Sequence, residues 1–430
     1  MRILWITNTL FPAVSKELNL PVPVIGGWMY SAAEALLNFN EYIELGVASL
    51  YDGESLQVLS IEGVTYFLIP HQGNNTKEAL YLYSYWKKIK EQFVPDVVHI
   101  HGSEYPHGLA FVKACGGRGV VLSVQGLVSV YERYYLGGIS EKELRQNITL
   151  RDHVRNDSLF SQRKRMQQRG ELEKVLIKQL NDVIGRTSWD KAHIWAINPD
   201  ANYHFCNETL RKEFYKHNWN HRSIEHYSIF LSQAHYPIKG LQQMIKALPF
   251  ILKHYPEAKV YVAGNDFISS QKKWKINGFG KYIHSLMKLN KVEDRFIFTG
   301  LLSEREMCER YLQSNVFVCP SSIENSPNSV GEAQMLGVPC VSAYVGGVKD
   351  MIEDGKTGLT YRFEEVEMLA NAVCHIFSDK GFANKISLKG RESALKRHSQ
   401  KENTKRLNFI YQTICERQSR YSIKQSGRLF

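Results

Sequence analysis

Along most of the chain, short apolar runs alternate with longer stretches in which apolar residues recur at helical spacing. In the first half the predicted strands cover residues 3–6, 47–50, 64–69, 97–100, 120–124 and 182–184, and the predicted helices cover 28–37, 76–93 and 109–115. Strands that alternate with helices are typical of a parallel sheet with helices on both faces. A long, polar, helix-like stretch over residues 141–180 interrupts this alternation.

The alternation resumes after residue 227. The predicted strands cover residues 228–231, 259–263, 295–299, 316–319 and 338–342, and the predicted helices cover 241–254, 282–289 and 303–313. Ser303 followed by Glu306 gives the last of these helices a capping-box start. The sequence therefore predicts an α/β protein with two doubly wound, Rossmann-like domains, residues 1–205 and 206–400. A helix over 401–415 and a loose basic tail to residue 430 follow.

The charge and the cysteine content indicate which partners and which cellular compartment suit the protein. The net charge of +11 favours an anionic partner, such as a nucleotide diphosphate, a polyanion or an acidic membrane surface. A basic soluble protein without such a partner explains the same charge. The seven cysteines form no CxxC pair, as is typical of a reducing cytoplasm. No run approaches the roughly 18 apolar residues of a membrane span, so we expect a cytoplasmic protein that at most lies on a membrane surface.

The most informative segment covers residues 316–339, where an apolar strand leads into a polar loop that carries Glu324. Ser326 is a suitable N-cap, and Pro327 then occupies the first helical position, where its missing N–H costs nothing. Gly337 is a natural end for this helix. A short helix therefore points its N-terminus at the carboxyl ends of the strands, where an open α/β sheet binds its ligands.

Two carboxylates, Glu324 and Glu332, bracket the start of this helix. The free N–H groups of its first turn can bind a phosphate. The polar residues expected to line that end are Asn325, Ser326, Asn328 and Ser329. Carboxylates suit hydroxyls rather than a phosphate, and a nucleotide sugar has hydroxyls on both sides of its diphosphate. The segment therefore predicts a nucleotide-sugar site, although a helix with a solvated glutamate explains the same residues.

Glu324 and Glu332, with seven residues between them, resemble the E-x7-E motif of retaining glycosyltransferases of family 4. The following Gly337-Val338-Pro339 and Gly346-Gly347 are also similar to that family. The resemblance implies the GT-B fold, in which two Rossmann-like domains face a central cleft. It implies that Glu332 holds the ribose hydroxyls and that Glu324 approaches the donor sugar. No metal ion and no cofactor besides the donor substrate are then expected, and no DxD-like acidic cluster occurs in the sequence.

Lys239, followed by Gly240, comes shortly after a predicted strand and is a candidate for neutralising the leaving diphosphate. It resembles the Arg…Lys-Gly element of the family. The usual arginine of that element is absent, because Gln233 or Ala234 stands in its place. A surface lysine before a turn glycine is the alternative.

Gly26 and Gly27 precede a predicted helix and resemble the N-terminal glycine loop of the family, so Gly27 is expected to approach the donor through its amide. His101 ends a strand at the expected cleft edge, where it can hydrogen-bond a sugar or acceptor hydroxyl. His99 shares its face by strand alternation and is expected to be structural. A structural role is the alternative for His101 as well.

Two further positions of the first half bear on the chemistry. The family often has a histidine after the next strand, and Gln125 occupies that place, so no base is available there at neutral pH. Arg186 follows a strand-like run and is a candidate second diphosphate contact. The alternative is a structural arginine paired with Asp190.

The function predicted from these residues is sugar transfer from a nucleoside diphosphate sugar to a hydroxyl with retention, with Glu324, Lys239 and His101 as the candidate catalytic residues. The expected acceptor is a saccharide or lipid-linked saccharide in bacterial surface polysaccharide or glycolipid synthesis, with no nucleic-acid partner. The basic stretch at residues 151–178 suits an anionic membrane surface or a solvated helix face. In the family the C-terminal helix crosses back onto the first domain. A nucleotide-sugar epimerase and a non-catalytic glycan- or nucleotide-binding protein remain alternatives.

Overall fold

The apolar run near the N-terminus becomes β1 (Arg2–Thr7), a central strand of an eight-stranded sheet. The computed structural model describes residues 1–23, 26–71, 77–268 and 276–426, with side chains described to residue 420. The other strands of this sheet are β2 (Glu44–Tyr51), β3 (Gln57–Ile61), β4 (Val64–Pro70), β5 (Val97–His101), β6 (Val120–Ser123), β7 (Asp182–Gly185) and β8 (Asn202–Phe205). Their order is β3-β4-β2-β1-β5-β6-β7-β8, and all neighbours are parallel except the antiparallel β3 and β4.

The two outer strands of this sheet, β3 and β8, were not predicted from the sequence. Their side chains are partly exposed along their whole length, so neither strand contains a continuous apolar run. The inner strand β1 shows the predicted arrangement of helices on both faces. Its Leu4 and Ile6 pack into one apolar core, and the alternate residues Ile3 and Trp5 pack into another.

The helices up to residue 197 are α1 (Pro12–Glu17), α2 (Gly27–Phe39), α3 (Leu82–Phe93), α4 (Pro106–Cys115), α5 (Val128–Tyr131), α6 (Glu141–Asn147), α7 (Leu150–Arg155), α8 (Leu159–Lys178) and α9 (Ser188–Ile197). The helix predicted from residue 76 begins at Leu82, and residue 76 itself lies outside the described residues. Thr187 caps α9 through a capping box with Asp190.

The second sheet has six strands, all parallel. They are β9 (Ser228–Leu231), β10 (Lys259–Val262), β11 (Phe296–Phe298), β12 (Val316–Cys319), β13 (Cys340–Ala343) and β14 (Leu359–Tyr361), in the order β11-β10-β9-β12-β13-β14. The helices around them are α10 (Leu241–Leu252), α11 (Gly278–Asn290), α12 (Glu304–Gln313), α13 (Asn328–Leu336), α14 (Val366–Ser378) and α15 (Lys380–Arg397). The capping box predicted for α12 at Ser303 and Glu306 is confirmed.

The C-terminal helix α16 (Gln400–Ser426) is longer than the sequence predicts. Its Ile410, Tyr411 and Ile414 join the same apolar core as Trp5. The helix extends to residue 426, into the range for which a loose tail was predicted, while residues 427–430 lie outside the described part of the chain. At the start of this extension Arg417 pairs with Asp182 at 2.7 Å and Gln418 donates to the carbonyl of Asp96 at 2.8 Å.

The chain divides into two compact units. The first contains Met1–Val130, Met166–Thr209 and the chain from His398 onward, and the second contains Tyr131–Arg165 and Leu210–Arg397. Residues 131–165, which lie within the range predicted for the first domain, thus cluster with the second sheet. The order of the central parallel strands reverses between β1 and β5 in the first sheet and between β9 and β12 in the second. Ligands of open α/β sheets bind outside the carboxyl ends of the strands at such reversal points.

Candidate functional site

Lys239 and Glu324 follow the two strands that flank the reversal point of the second sheet. Lys239 Nζ donates to Glu324 Oε1 at 2.6 Å, and the hydroxyl of Ser321 donates to the same oxygen at 2.8 Å. Burial disfavours the charged form of Lys239, but the Glu324 carboxylate outweighs burial, and the pKa of Lys239 lies above its usual value. The site therefore holds a partly buried ammonium and a buried carboxylate in one hydrogen-bonded pair.

The backbones of the two loops touch, and this contact brings the pair together. Pro237–Lys239 form a single 3-10 turn that ends at Gly240, whose φ is +73°. A Cβ at Gly240 would lie 1.7 Å from the carbonyl oxygen of Pro320, so only glycine fits there. The amide of Ser322 then donates to the carbonyl of Ile238 at 2.8 Å.

A second glycine supports Glu324 from the other side. Gly346 has a φ of +51°, and a Cβ there would lie 2.0 Å from the carbonyl oxygen of Glu324. The amide of Gly347 donates to that oxygen at 3.0 Å. The Gly346-Gly347 pair thus has a physical role, because it lets the chain approach the backbone of Glu324 and fix its carbonyl group.

The helix between the two glutamates, α13, begins one residue later than predicted. Pro327 is its N-cap rather than its first helical residue, and no side chain caps it, so the assignment of Ser326 as N-cap is wrong. The carbonyl of Pro327 accepts from the amides of Val330 and Gly331, which starts the helix without a side-chain cap. The predicted end at Gly337, with φ of +81°, is confirmed.

The remaining candidate residues of this loop lie at the start of α13. Asn325 is buried, and the hydroxyl of Ser326 lies 3.6 Å from the sulfur of Met351. Asn328 and Ser329 are the first two helical residues. Anions are favoured at this end of a helix by the helix dipole and the first-turn amides.

Glu332 is buried inside α13 and is paired with Arg211, a residue that the sequence analysis did not identify. Arg211 donates from Nε to Oε1 at 2.7 Å and from Nη2 to Oε2 at 2.9 Å. Burial raises the pKa of Glu332, and the guanidinium opposes that rise. The two residues are 121 positions apart, so no local sequence pattern links them.

In the first unit, His99 and His101 share one face of β5, with ring centroids 3.8 Å apart. His99 is the satisfied structural histidine that was predicted, because Tyr411 and Ser123 hydroxyls lie 2.6 Å from its two ring nitrogens. His101 is only 4% exposed, and neither of its nitrogens has a hydrogen-bond partner among the described residues. Burial lowers the pKa of His101 to about 3, so its imidazole is neutral at physiological pH.

Arg186 lies close to His101 in the first unit, and both line a cavity of about 40 Å³. Its guanidinium forms an ion pair with Glu208 and donates to the carbonyl of Val124 at 2.7 Å and to the side chain of Gln125 at 3.3 Å. Asp190 instead accepts from the backbone amide of Arg186 at 2.8 Å. Glu208, which the sequence analysis did not identify, is therefore the carboxylate at this guanidinium.

The glycine loop of the first unit is only partly described, because residues 24 and 25 lie outside the described part of the chain. Gly27 is the first residue of α2. Gly26 is its N-cap with φ of +80°, and a Cβ there would lie 2.8 Å from the Thr9 hydroxyl. The positive φ explains the need for glycine at position 26.

Neither a metal cluster nor a membrane-spanning helix is found in the described ranges. Across residues 1–23, 26–71, 77–268 and 276–426, no three His, Cys, Asp or Glu side chains are grouped as metal ligands. Over the same ranges, every helix is too short or too polar to cross a bilayer.

The segment that contains the candidate site matches a known protein family. Residues 225–379, which contain Lys239 and both glutamates, match the family model described as Glycosyl transferases group 1. The sulfoquinovosyl transferase SQD2 of Arabidopsis thaliana is 28% identical over 175 residues, which are 40% of this chain and 31% of that protein. The matched part spans less than half the length of the curated relatives.

Two solved structures resemble nearly the whole chain. The sucrose-phosphate synthase of Thermosynechococcus elongatus superposes with a TM-score of 0.70 at 15% identity, covering 96% of this chain and 99% of that one. Anabaena Alr3699/HepE, solved in complex with UDP and glucose, gives a TM-score of 0.66 at 14% identity, covering 96% and 100%. At this identity the likeness shows the fold, and the chain has the GT-B fold of two Rossmann-like domains.

Proposed function

We propose that this chain is a glycosyltransferase that moves a sugar from a nucleoside diphosphate sugar to a hydroxyl of a saccharide or lipid-linked saccharide acceptor, with retention of anomeric configuration. The observation that carries the proposal is the Lys239–Glu324 pair at the reversal point of the second sheet, directly before α13. The match of residues 225–379 to group 1 glycosyltransferases supports it.

Lys239, Glu324 and Glu332 each have a role in this proposal. An ammonium group has three donor hydrogens, so Lys239 can bind an oxygen of the leaving diphosphate while it keeps Glu324. The first-turn amides of α13 bind the diphosphate as well. Glu332 accepts from the ribose hydroxyls, and Glu324 orients the donor sugar.

The reaction proceeds by attack from the face that the diphosphate leaves. The bond between the anomeric carbon and the phosphate oxygen breaks, and its electron pair goes to the diphosphate. The acceptor oxygen forms the new bond to the anomeric carbon, and its proton goes to the leaving phosphate. Lys239 and the helix amides stabilise the charge that develops on the diphosphate, and fixed charges of this kind act strongly in a site from which water is excluded.

In this proposal the first unit supplies His101 on the acceptor side and Arg186 as a second diphosphate contact. His101 is neutral, so it can hydrogen-bond a hydroxyl but does not act as a cation. Arg186 is held by Glu208 and Gln125, and its role as a diphosphate contact stays part of the proposal.

The decisive experiment combines a binding screen with analysis of the product. We expect one nucleotide class among UDP-, GDP- and ADP-sugars to bind in calorimetry, and Glu332→Ala to weaken it by about 2 kcal/mol, or about 30-fold, because paired hydroxyls are lost. Glu353→Ala, at an exposed ion pair with Lys356, is the control and leaves affinity unchanged. Unchanged affinity in Glu332→Ala would remove this residue from the site.

NMR of the transferred sugar tests retention, and an inverted product would refute the mechanism. Turnover of the nucleotide sugar without any acceptor would favour an epimerase. Nucleotide or glycan binding with neither transfer nor donor hydrolysis would favour a non-catalytic binding protein.

We also propose an anionic membrane surface as a partner, in line with a role in surface polysaccharide or glycolipid synthesis. Leu150 and Val154 on α7 are 79% and 80% exposed, and Arg155 beside them is exposed as well. Exposed apolar and basic side chains together suit an anionic lipid interface. Sedimentation with phosphatidylglycerol vesicles should exceed that with phosphatidylcholine vesicles and fall in Leu150→Ser/Val154→Ser. Equal sedimentation with both would refute it.

A further inference from the structure

A turn from the first half of the sequence, residues 134–138, lies against the loop that carries Lys239. Both belong to the second unit. The side-chain amide of Gln242 joins them, because its Nε2 donates to the carbonyl of Gly137 at 2.8 Å and to the carbonyl of Pro237 at 2.9 Å. Gln242 is 1% exposed, so neither hydrogen bond is readily replaced by water.

The same turn also touches the loop that carries Glu324. The hydroxyl of Ser322 donates to the carbonyl of Tyr134 at 3.1 Å. The amide of Ser322 donates to the carbonyl of Ile238, one residue before Lys239. The turn, the Lys239 loop and the Glu324 loop therefore form one hydrogen-bonded unit.

Close packing makes the two glycines of the turn necessary. Gly137 has a φ of +58°, and a Cβ there would lie 2.3 Å from the carbonyl oxygen of Pro237. Gly138 has a φ of +72°, and a Cβ there would lie 3.1 Å from the ring of Phe363. Any side chain at position 137 would push the turn away from Pro237.

The 3-10 turn that carries Lys239 is short, with one hydrogen bond from the Lys239 amide to the Tyr236 carbonyl at 2.9 Å and one from the Gly240 amide to the Pro237 carbonyl at 3.0 Å. It has only three residues, and Pro237 has no amide hydrogen to donate. Its carbonyl group accepts a second hydrogen bond from the side chain of Gln242, which lies outside the turn. A displacement of about 1 Å in a charged group can cost about 100-fold in rate, so the position of this turn matters for any chemistry of Lys239.

We infer that the turn at residues 134–138 is a structural part of the Lys239–Glu324 site, and that Gln242 is a positioning residue that sets Lys239 against it. The catalytic part of this inference rests on the proposed transfer reaction. The segment that contains the turn, residues 131–165, continues into the first unit at both ends. A segment from the first half of the sequence thus contributes to the donor side of the protein.

The test compares two adjacent glutamines of α10. Gln242→Leu removes the hydrogen bonds to the carbonyls of Gly137 and Pro237. Gln243→Leu instead removes a buried side-chain amide that donates to the carbonyl of Phe363 at 2.6 Å and not to the Lys239 turn. We expect Gln242→Leu to lower kcat by about 100-fold with little change in the KM for the donor, and Gln243→Leu to leave kcat near that of the wild type. Equal kcat values for the two folded variants would overturn the inference.

A chemical readout separates this inference from the proposed reaction. The rate at which Lys239 is acetylated by a small anhydride in the folded protein, measured by mass spectrometry, should rise in Gln242→Leu and not in Gln243→Leu. An unchanged rate in Gln242→Leu would overturn the positioning role even if transfer occurs. A raised rate in a protein that transfers no sugar would uphold positioning and refute the proposed function.

A second pair of variants serves if Gln242→Leu does not fold. Gly137→Ala should raise the acetylation rate of Lys239, because the new methyl group meets the Pro237 carbonyl. Gly355→Ala, in the same unit, with a φ of +70° and open space around its Cβ, is the control for backbone strain alone. The same acetylation rate for Lys239 in both variants would overturn the inference.

Discussion

The guanidinium of Arg211 binds both carboxylate oxygens of Glu332, at 2.7 and 2.9 Å. Burial raises the pKa of Glu332, and the fork of the guanidinium opposes that rise while fixing the orientation of the carboxylate. Arg211 therefore opposes protonation of a buried carboxylate at the position where the proposed function needs a hydrogen-bond acceptor. Glu304 also acts on Glu332, and its negative charge raises the pKa further.

Arg211→Gln should make nucleotide binding depend on pH. Without the guanidinium the pKa of Glu332 rises further, so its charged fraction falls as the pH is lowered. We expect calorimetry to show a loss of about tenfold or more in nucleotide affinity at pH 6, and a smaller loss at pH 8. Glu332→Gln, which is neutral at both pH values, should show the same loss at both. A pH-independent loss in Arg211→Gln would contradict this account.

Gly346→Ala should destabilise the second unit strongly, because its methyl group would lie 2.0 Å from the Glu324 carbonyl oxygen. We expect the free energy of unfolding to fall by about 3 kcal/mol or more in urea denaturation. Gly355→Ala has a similar positive φ, +70°, but open space around its Cβ, so about 1–2 kcal/mol is expected there. If both variants lost a similar free energy of unfolding, the contact with the Glu324 carbonyl would not contribute to the destabilisation.

Glu173 on α8 should make the stability of the protein fall as the pH rises. It is buried and accepts from the hydroxyls of Ser103 and Ser129, and burial raises its pKa to about 7. The folded state therefore binds a proton that the unfolded chain releases near pH 4.5. This contribution to stability is fully present below pH 4.5 and is lost as the pH rises through about 7.

The measurement compares wild type with Glu173→Gln between pH 5 and pH 7.5. We expect the free energy of unfolding of the wild type to fall by about 2–3 kcal/mol more than that of the variant over this range. Glu171→Gln, at an exposed residue of the same helix, should follow the wild type. Parallel pH profiles for wild type and Glu173→Gln would show that Glu173 does not titrate there.

His99 and His101 should respond in opposite ways to replacement by phenylalanine. His99→Phe removes the hydrogen bonds between the imidazole and the hydroxyls of Tyr411 and Ser123, so it should lower the free energy of unfolding by about 2–3 kcal/mol. His101→Phe loses no hydrogen bond to the described residues and keeps the ring contact with Trp5, so stability should be unchanged or about 1 kcal/mol higher. Sugar transfer should nevertheless fall in His101→Phe, and full activity would assign it a packing role only.

The apolar pattern of the sequence was sufficient to predict the inner strands of both sheets, the start of α12 and the end of α13. These features depend on local chemistry, because burial selects apolar runs, and caps and stops depend on single residues such as Ser303 and Gly337. The positions of Lys239, Glu324 and Glu332 next to strand ends and a helix start follow from the same local rules.

The partners of these residues were decided by the tertiary structure. Lys239 and Glu324 are 85 positions apart and meet because β9 and β12 are neighbours at the reversal point of the second sheet. Arg211 at Glu332 and Gln242 at Gly137 likewise join distant segments. Neither apolar periodicity nor residue spacing carries this information, because strand order and loop contact depend on how complete elements pack. The sequence by itself thus determined which charged side chains stand at the strand ends, and the packing of the sheets determined which of them form pairs.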